Sequence, residues 1–179
     1  MAEIVDHLEV SSAAQFKALG HPLRHRLLFA LGQEAATISQ LAAALGTAKG
    51  NVAHHLGVLR DAGMVHVAET RQVRGGTEQY YRRSVRRFGF TGEGARANNT
   101  VALQAVAADL ETAEGDPLFT VRNLRLTAAQ AEELATTLSE LVDGLTDAGP
   151  DEARYGVAIS LYRPRQPLHS PHHSPQPQL

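Results

Sequence analysis

Cysteine is absent from this sequence, aromatic residues are only 5 % of it, and no long apolar run interrupts it. Without Cys there are no disulfides, no thiolate nucleophiles and no sulfur-ligated metal sites, and a reducing cytoplasm is the expected compartment. No stretch approaches the roughly 20 uninterrupted apolar residues of a membrane helix, so no membrane partner is expected. The opening MAEIVDHLEVSS has neither a basic start nor an apolar run, so it is not expected to act as a secretory signal. Catalytic patterns are missing as well. Glu132-Glu133 reads as part of a helix surface, no Ser has a His and Asp set around it, and Gly75-Gly76 is a hairpin turn rather than a phosphate-cradling loop. Neither an enzyme nor a cofactor is expected.

What remains is a chain of 179 residues, 43 % hydrophobic and 20 % charged. It can bury a core, and its size fits one ordinary domain, or a small domain with an appendage that completes its core on a partner. The net charge of −2 conceals a division. Residues 1–90 carry 11 Lys and Arg against 7 Asp and Glu, or +4, while residues 91–179 carry 6 against 12, or −6. A basic first half beside an acidic second half is the pattern of nucleic-acid binding by the first.

Short elements fill the first half. Ser11 and Ser12 can cap a helix running through Phe16 and Leu19 to Gly20, and Pro22 opens the next, with Leu23, Leu27, Leu28 and Leu31 at helical spacing. Ser39 is read as the cap of a very short helix through Leu41 and Leu45. A longer helix follows from about Lys49 to Ala62, with Val52, Leu56 and Leu59 as its apolar stripe. Val65 and Val67 then alternate with polar or small neighbours as a strand, Arg71 to Thr77 is read as a turn, and Glu78 to Ser84 returns. In the second half, a helix over about 97–112 places Val101 or Leu103, Val106, Ala107 and Leu110 on one side. Leu124 and Leu126 read as a short strand, Thr127 and Gln130 as a capping box opening a helix to about 146, and Tyr155–Tyr162 as a second strand. Strand, helix and strand suggest a βαβ crossover. From Arg163 onward Pro, His, Ser and Gln dominate, as in a disordered tail.

Two helices joined by a tight turn and followed by a hairpin with a basic tip are the order of a winged helix-turn-helix. With Val52, Leu56 and Leu59 inward, Gly50, Ala53, His54 and Gly57 face outward. The small residues let the helix axis approach base edges, and Lys49, Asn51 and His54 supply polar contacts. Arg71, Gln72 and Arg74 at the hairpin are placed to reach phosphates or a minor groove. Arg82, Arg83, Arg86 and Arg87 follow, suited either to phosphate contact or to pairing with acids.

The segment from ALGHPLRHRLL through VAHHLGVLRDAGMV to the glycine-tipped wing, residues 18–84, resembles the ArsR-type winged-helix repressors. The resemblance implies that Lys49, Gly50, Asn51, Ala53 and His54 contact DNA and that His55 packs against neighbouring backbone. Ala48 and Ala53 stand where Ser is common in that family, which removes a helix cap and a polar contact. The family's thiolate metal sites cannot exist here, and the stretch 95–114 holds Asp109 and Glu111 but no His for its alternative site. His21 and His25, four apart, have a metal-compatible spacing but read as unrelated surface histidines, and the tail imidazoles His169, His172 and His173 are the remaining donors. No metal site is assigned.

The expected fold is mainly α with small β: a winged helix-turn-helix domain over 1–92, a helical or βαβ extension for dimerisation over 93–165, and a disordered tail over 166–179. The expected function is that of a homodimeric regulator of a double-stranded DNA operator, in the sense of a repressor, with a small-molecule effector compatible with the second half. The alternative is a winged-helix protein-interaction module whose acidic half docks a basic partner.

Overall fold

Local hydrogen bonds at the chain's polar residues fix where its first helices begin. In the computed structural model, which describes residues 5–32, 34–90, 95–146, 148–149 and 151–164, the Ser12 hydroxyl accepts from the Gln15 amide at 3.2 Å. The Gln15 side chain accepts from the Ser12 amide in return, opening α1 (Ala13–Leu19). Pro22 occupies the first turn of α2 (Pro22–Ala30), whose cap is the His21 ring, accepting from Leu23 N–H at 3.1 Å. The cap of α3 (Ile38–Ala44) is Thr37 with Gln40, not Ser39 as the sequence suggested. Ser39 lies one residue inside the helix, because only Thr37 has the Gln three residues on that closes the reciprocal pair. The next helix, α4 (Lys49–Asp61), begins at Ala48 with no side-chain cap.

Packing holds α4 instead. Val52, Leu56 and Leu59 are buried as the apolar stripe requires, against a core containing Leu19, Leu27, Leu28, Leu31, Leu41, Met64 and Tyr81. The strands β2 (Val65–Val73) and β3 (Gly76–Arg83) form an antiparallel hairpin that is longer, and turned more tightly, than expected. Its turn is Arg74-Gly75, with Gly75 at φ +114°, a conformation that a side chain would strain. Arg71 and Gln72 therefore lie on β2 rather than at the tip.

One pairing had no counterpart in the sequence reading. The strand β1 (Val5–Val10) runs parallel to β4 (Val85–Phe90), with Val5 opposite Val85 and Val10 opposite Phe90, and Val10 is fully buried in the core. The helix α5 (Ala95–Leu110) packs on α1 and α2, where an Arg26–Asp109 ion pair at 3.2 Å ties it down. Its buried residues are Asn98 and Ala105, while Leu103 and Ala107, expected on the apolar side, are exposed.

Contacts divide the chain into two units, residues 1–119 and 120–179, so α5 belongs to the first unit by its packing. The second unit contains α6 (Ala128–Asp143), opened by the Thr127–Gln130 capping box and closed at Gly144. The βαβ expectation fails here: among the described residues neither 124–126 nor 155–162 forms a strand. Apolar alternation gives a segment the capacity to pair, but a ladder needs a partner, and a two-stranded sheet is marginal by itself. No helix of the described residues is long and apolar enough to cross a membrane.

Candidate nucleic-acid interface

Because Val52, Leu56 and Leu59 point inward, the opposite side of α4 is left to solvent. Lys49, Gly50, Asn51, Ala53 and His54 are all exposed there. No atom lies within 4 Å of where a Cβ would sit on Gly50 or Gly57, so nothing in the packing of this chain requires glycine at either position. Their smallness leaves room for a ligand to approach the helix. Asn51 is pre-set by a hydrogen bond from its amide to the Thr47 hydroxyl at 3.0 Å. Neither Lys49 nor Arg74 forms an ion pair among the described residues.

Behind this face lies an anchor absent from the sequence reading. Arg24 on α2 donates through Nη2 to the Lys17 carbonyl at 2.8 Å and through Nε to the Ala18 carbonyl, covering the open C-terminal end of α1. Its Nη1 donates to Nδ1 of His55 on α4 at 3.2 Å. One guanidinium thus joins three helices. His25, expected at the surface, is fully buried, and its Nε2 donates to the Leu19 carbonyl at 2.8 Å. The sequence signal was the Arg24-His25 pair itself: two donors in the first turns of α2, six and more residues past the carbonyls they cap.

His55 must keep Nδ1 unprotonated to accept from Arg24. Burial is the largest reason that it does, followed by the charges of His21, Arg24 and His54, and together they push its pKa down to about 4. The His21 ring lies 4.4 Å from His55 and the His54 ring 5.1 Å, centroid to centroid. Despite this clustering, no group of three or more metal-competent side chains forms among the described residues, and His169, His172 and His173 lie outside them.

The hairpin presents a second polar surface. Arg74 projects at the turn. Gln72 bonds across the strands to Thr77 at 3.2 Å. Arg71 is gripped by Glu69 through two bonds, Nε to Oε1 at 2.6 Å and Nη2 to Oε2 at 2.8 Å, and lies 4.5 Å over the Tyr80 ring. A groove of about 390 Å³ runs between Thr37–Ser39 at the start of α3 and Val73–Gln79 of the hairpin. The arginines after the hairpin are less available: Arg82 and Arg83 are half-buried and engaged within the protein, and the Arg86 side chain lies outside the described set. The structure therefore brings Lys49, Gly50, Asn51, Ala53 and His54 onto one helix face and puts Arg71, Gln72 and Arg74 along one hairpin.

The family described as a helix-turn-helix domain matches residues 19–68. Among solved structures, the chain is similar to the transcriptional repressor BigR of Xylella fastidiosa, at 27 % identity over 52 % of this chain and 81 % of that one, with a TM-score of 0.33. It is similar also to a homodimeric winged helix-turn-helix DNA-binding domain from Mycobacterium bovis, at 26 % identity over 57 % and 82 %, with a TM-score of 0.32. A transcriptional regulator homologue from Pyrococcus horikoshii is 23 % identical over 54 % and 87 %, with a TM-score of 0.31. No curated protein matches.

Proposed function

We propose that this ArsR-type winged helix-turn-helix chain regulates transcription as a homodimeric, sequence-specific repressor on double-stranded DNA. In this reading α4 enters the major groove, two copies read half-sites about one helical turn apart, and the hairpin lies along the backbone or the adjacent minor groove. The observation that carries the reading is the division of α4 into a buried apolar face and an exposed face holding Lys49, Gly50, Asn51, Ala53 and His54. Lys49 and Arg74 supply charge for phosphates, while Asn51 and His54 supply the directional groups that base edges require.

The homodimer is supported by the second unit. Leu141 of α6 and Leu145 just beyond its end are more than 60 % exposed, and Val157, Ile159 and Leu161 are 44–60 % exposed. Apolar surface of this extent, concentrated in one unit, calls for cover that a second copy can provide. Light scattering after gel filtration should give twice the 19.2 kDa chain mass, and a clean monomer would remove the dimer from the proposal.

Titrating labelled duplexes at several salt concentrations tests the DNA surface. Lys49→Ala and Arg74→Ala should each weaken binding to every sequence and lower the salt slope by about 0.9. His54→Ala should relax discrimination at one base pair by about 1–3 kcal/mol. If all three variants bind as the parent does, the interface lies elsewhere.

A further inference from the structure

The Glu69–Arg71–Tyr80 arrangement on the hairpin carries a consequence for how Arg71 could meet DNA. Glu69 and Arg71 are two residues apart on β2 and so share a face, with Tyr80 opposite Glu69 and Glu78 opposite Arg71 on β3. The carboxylate takes the Nε–Nη2 edge of the guanidinium at 2.6 and 2.8 Å, and the ring stacks beneath it at 4.5 Å. Tyr80 is itself oriented by a bond from its hydroxyl to Glu78 at 3.2 Å. Arg71 is thus satisfied in the free protein in the geometry a phosphate would offer, while about half of each side chain stays open to solvent.

The geometry points to Glu69 as a specificity-determining residue of the hairpin: it holds Arg71 in reserve and competes with DNA phosphate for the same guanidinium. This rests on the DNA-binding reading of the chain. A phosphate that seeks the Nε–Nη2 edge must displace a carboxylate that is already bidentate and permanently present, and one that approaches Nη1 meets a charge that Glu69 has already balanced. That exchange succeeds only where the rest of the interface fixes the phosphate close and in line. On an arbitrary duplex, where docking is loose, Arg71 stays with Glu69 and adds nothing to counterion release. The device therefore lowers affinity for non-cognate DNA more than for a well-seated site. The lowered carboxyl pKa of Glu69, caused first by its bond from Arg71, agrees with a carboxylate that stays charged while it competes.

Glu69→Gln keeps the shape and removes the charge. Binding to a fluorescein-labelled duplex of mixed sequence should tighten about two- to fivefold, the scale of an exposed ion pair. The salt slope should steepen by about 0.9 as Arg71 is released to phosphate. The preference for a duplex selected from random sequences over the mixed duplex should fall. Glu78→Gln, which removes an equal charge that holds Tyr80 rather than Arg71, should have the smaller effect, and the gain from Glu69→Gln should vanish in an Arg71→Ala background. Equal gains from the two glutamine variants, a gain that persists without Arg71, or weaker binding by Glu69→Gln would each overturn the inference. A parent protein that binds no duplex in a salt-dependent way would instead overturn the DNA-binding reading on which it rests.

Discussion

The helices α4 and α6 are opposites in how they are secured. The first starts at Ala48 without a side-chain cap and buries Val52, His55, Leu56 and Leu59; the second starts at a complete Thr127–Gln130 capping box and buries no residue fully, Leu134, Leu138 and Val142 being half-buried. Capping chemistry sets where a helix begins, whereas burial sets whether it is held, and the two are separable. In the first unit, packing makes up for a missing cap. In the second, a complete cap still leaves a helix of 16 residues near the limit at which an isolated helix is stable in water. The first unit thus holds a buried core within one chain, whereas no described residue of the second is fully buried.

The largest test of this contrast uses core truncation. Leu56→Ala should cost about 2–5 kcal/mol in urea unfolding at any protein concentration, because the cavity opens inside one chain. The cost of Leu141→Ala, on the exposed side of α6, should depend on protein concentration and fade on dilution if the proposed second copy covers it. Equal, concentration-independent costs would break the comparison.

Acid provides a second test of intermediate size. The folded His55 resists protonation until about pH 4, whereas in the unfolded chain it titrates near its ordinary 6.5. The unfolded state therefore binds more protons between these values. The contribution of His55 is complete above pH 6.5 and is lost as the pH falls toward 4, with a slope of up to about 1.4 kcal/mol per unit. His55→Asn, which keeps an acceptor for Arg24, should flatten that slope in denaturation curves. Among the described residues of the second unit there is no histidine; His169, His172 and His173 lie outside them. An unflattened slope in His55→Asn would place the acid sensitivity in another group.

The smallest effect is expected at the uncapped helix start. Ala48→Ser should raise stability by about 0.5–1 kcal/mol, read as a higher melting temperature, by supplying the bond α4 lacks. No gain would mean that packing already fixes the helix start.

Much of this contrast could be read from the residues, and the portions that could not share a cause. The stripe Val52, Leu56, Leu59 and the pairs Ser12–Gln15 and Thr127–Gln130 are local patterns, and each appears where its spacing implies. The cap of α3 is equally local: Thr37 has a Gln three residues on and Ser39 does not. The β1–β4 pairing depends on which distant backbone lies alongside, and spacing carries no such information; Arg24 and His25 cap carbonyls only six or seven residues back, a local signal that apolar periodicity does not register. The alternation at 155–162 shows the reverse failure: a sound strand pattern with no ladder partner within one chain. For the candidate interface, outward direction on α4 followed from the stripe. That Arg71 is held by Glu69 did not, because same-face neighbours on a strand can attract or merely coexist.

The parallel β1–β4 pair also constrains the order in which the protein is built. Parallel strands cannot close through a short hairpin, and here the intervening chain is the whole helix-turn-helix and its wing. During synthesis β1 leaves the ribosome first and has no partner until Val85–Phe90 follow, about 4–16 seconds later at ordinary elongation rates. In that interval α1 to α4 can assemble from contacts much nearer in sequence, which close faster. β1 is thus made well before its partner strand, and its docking reports that the helix-turn-helix and the wing between them have been synthesised, with α5 still to follow.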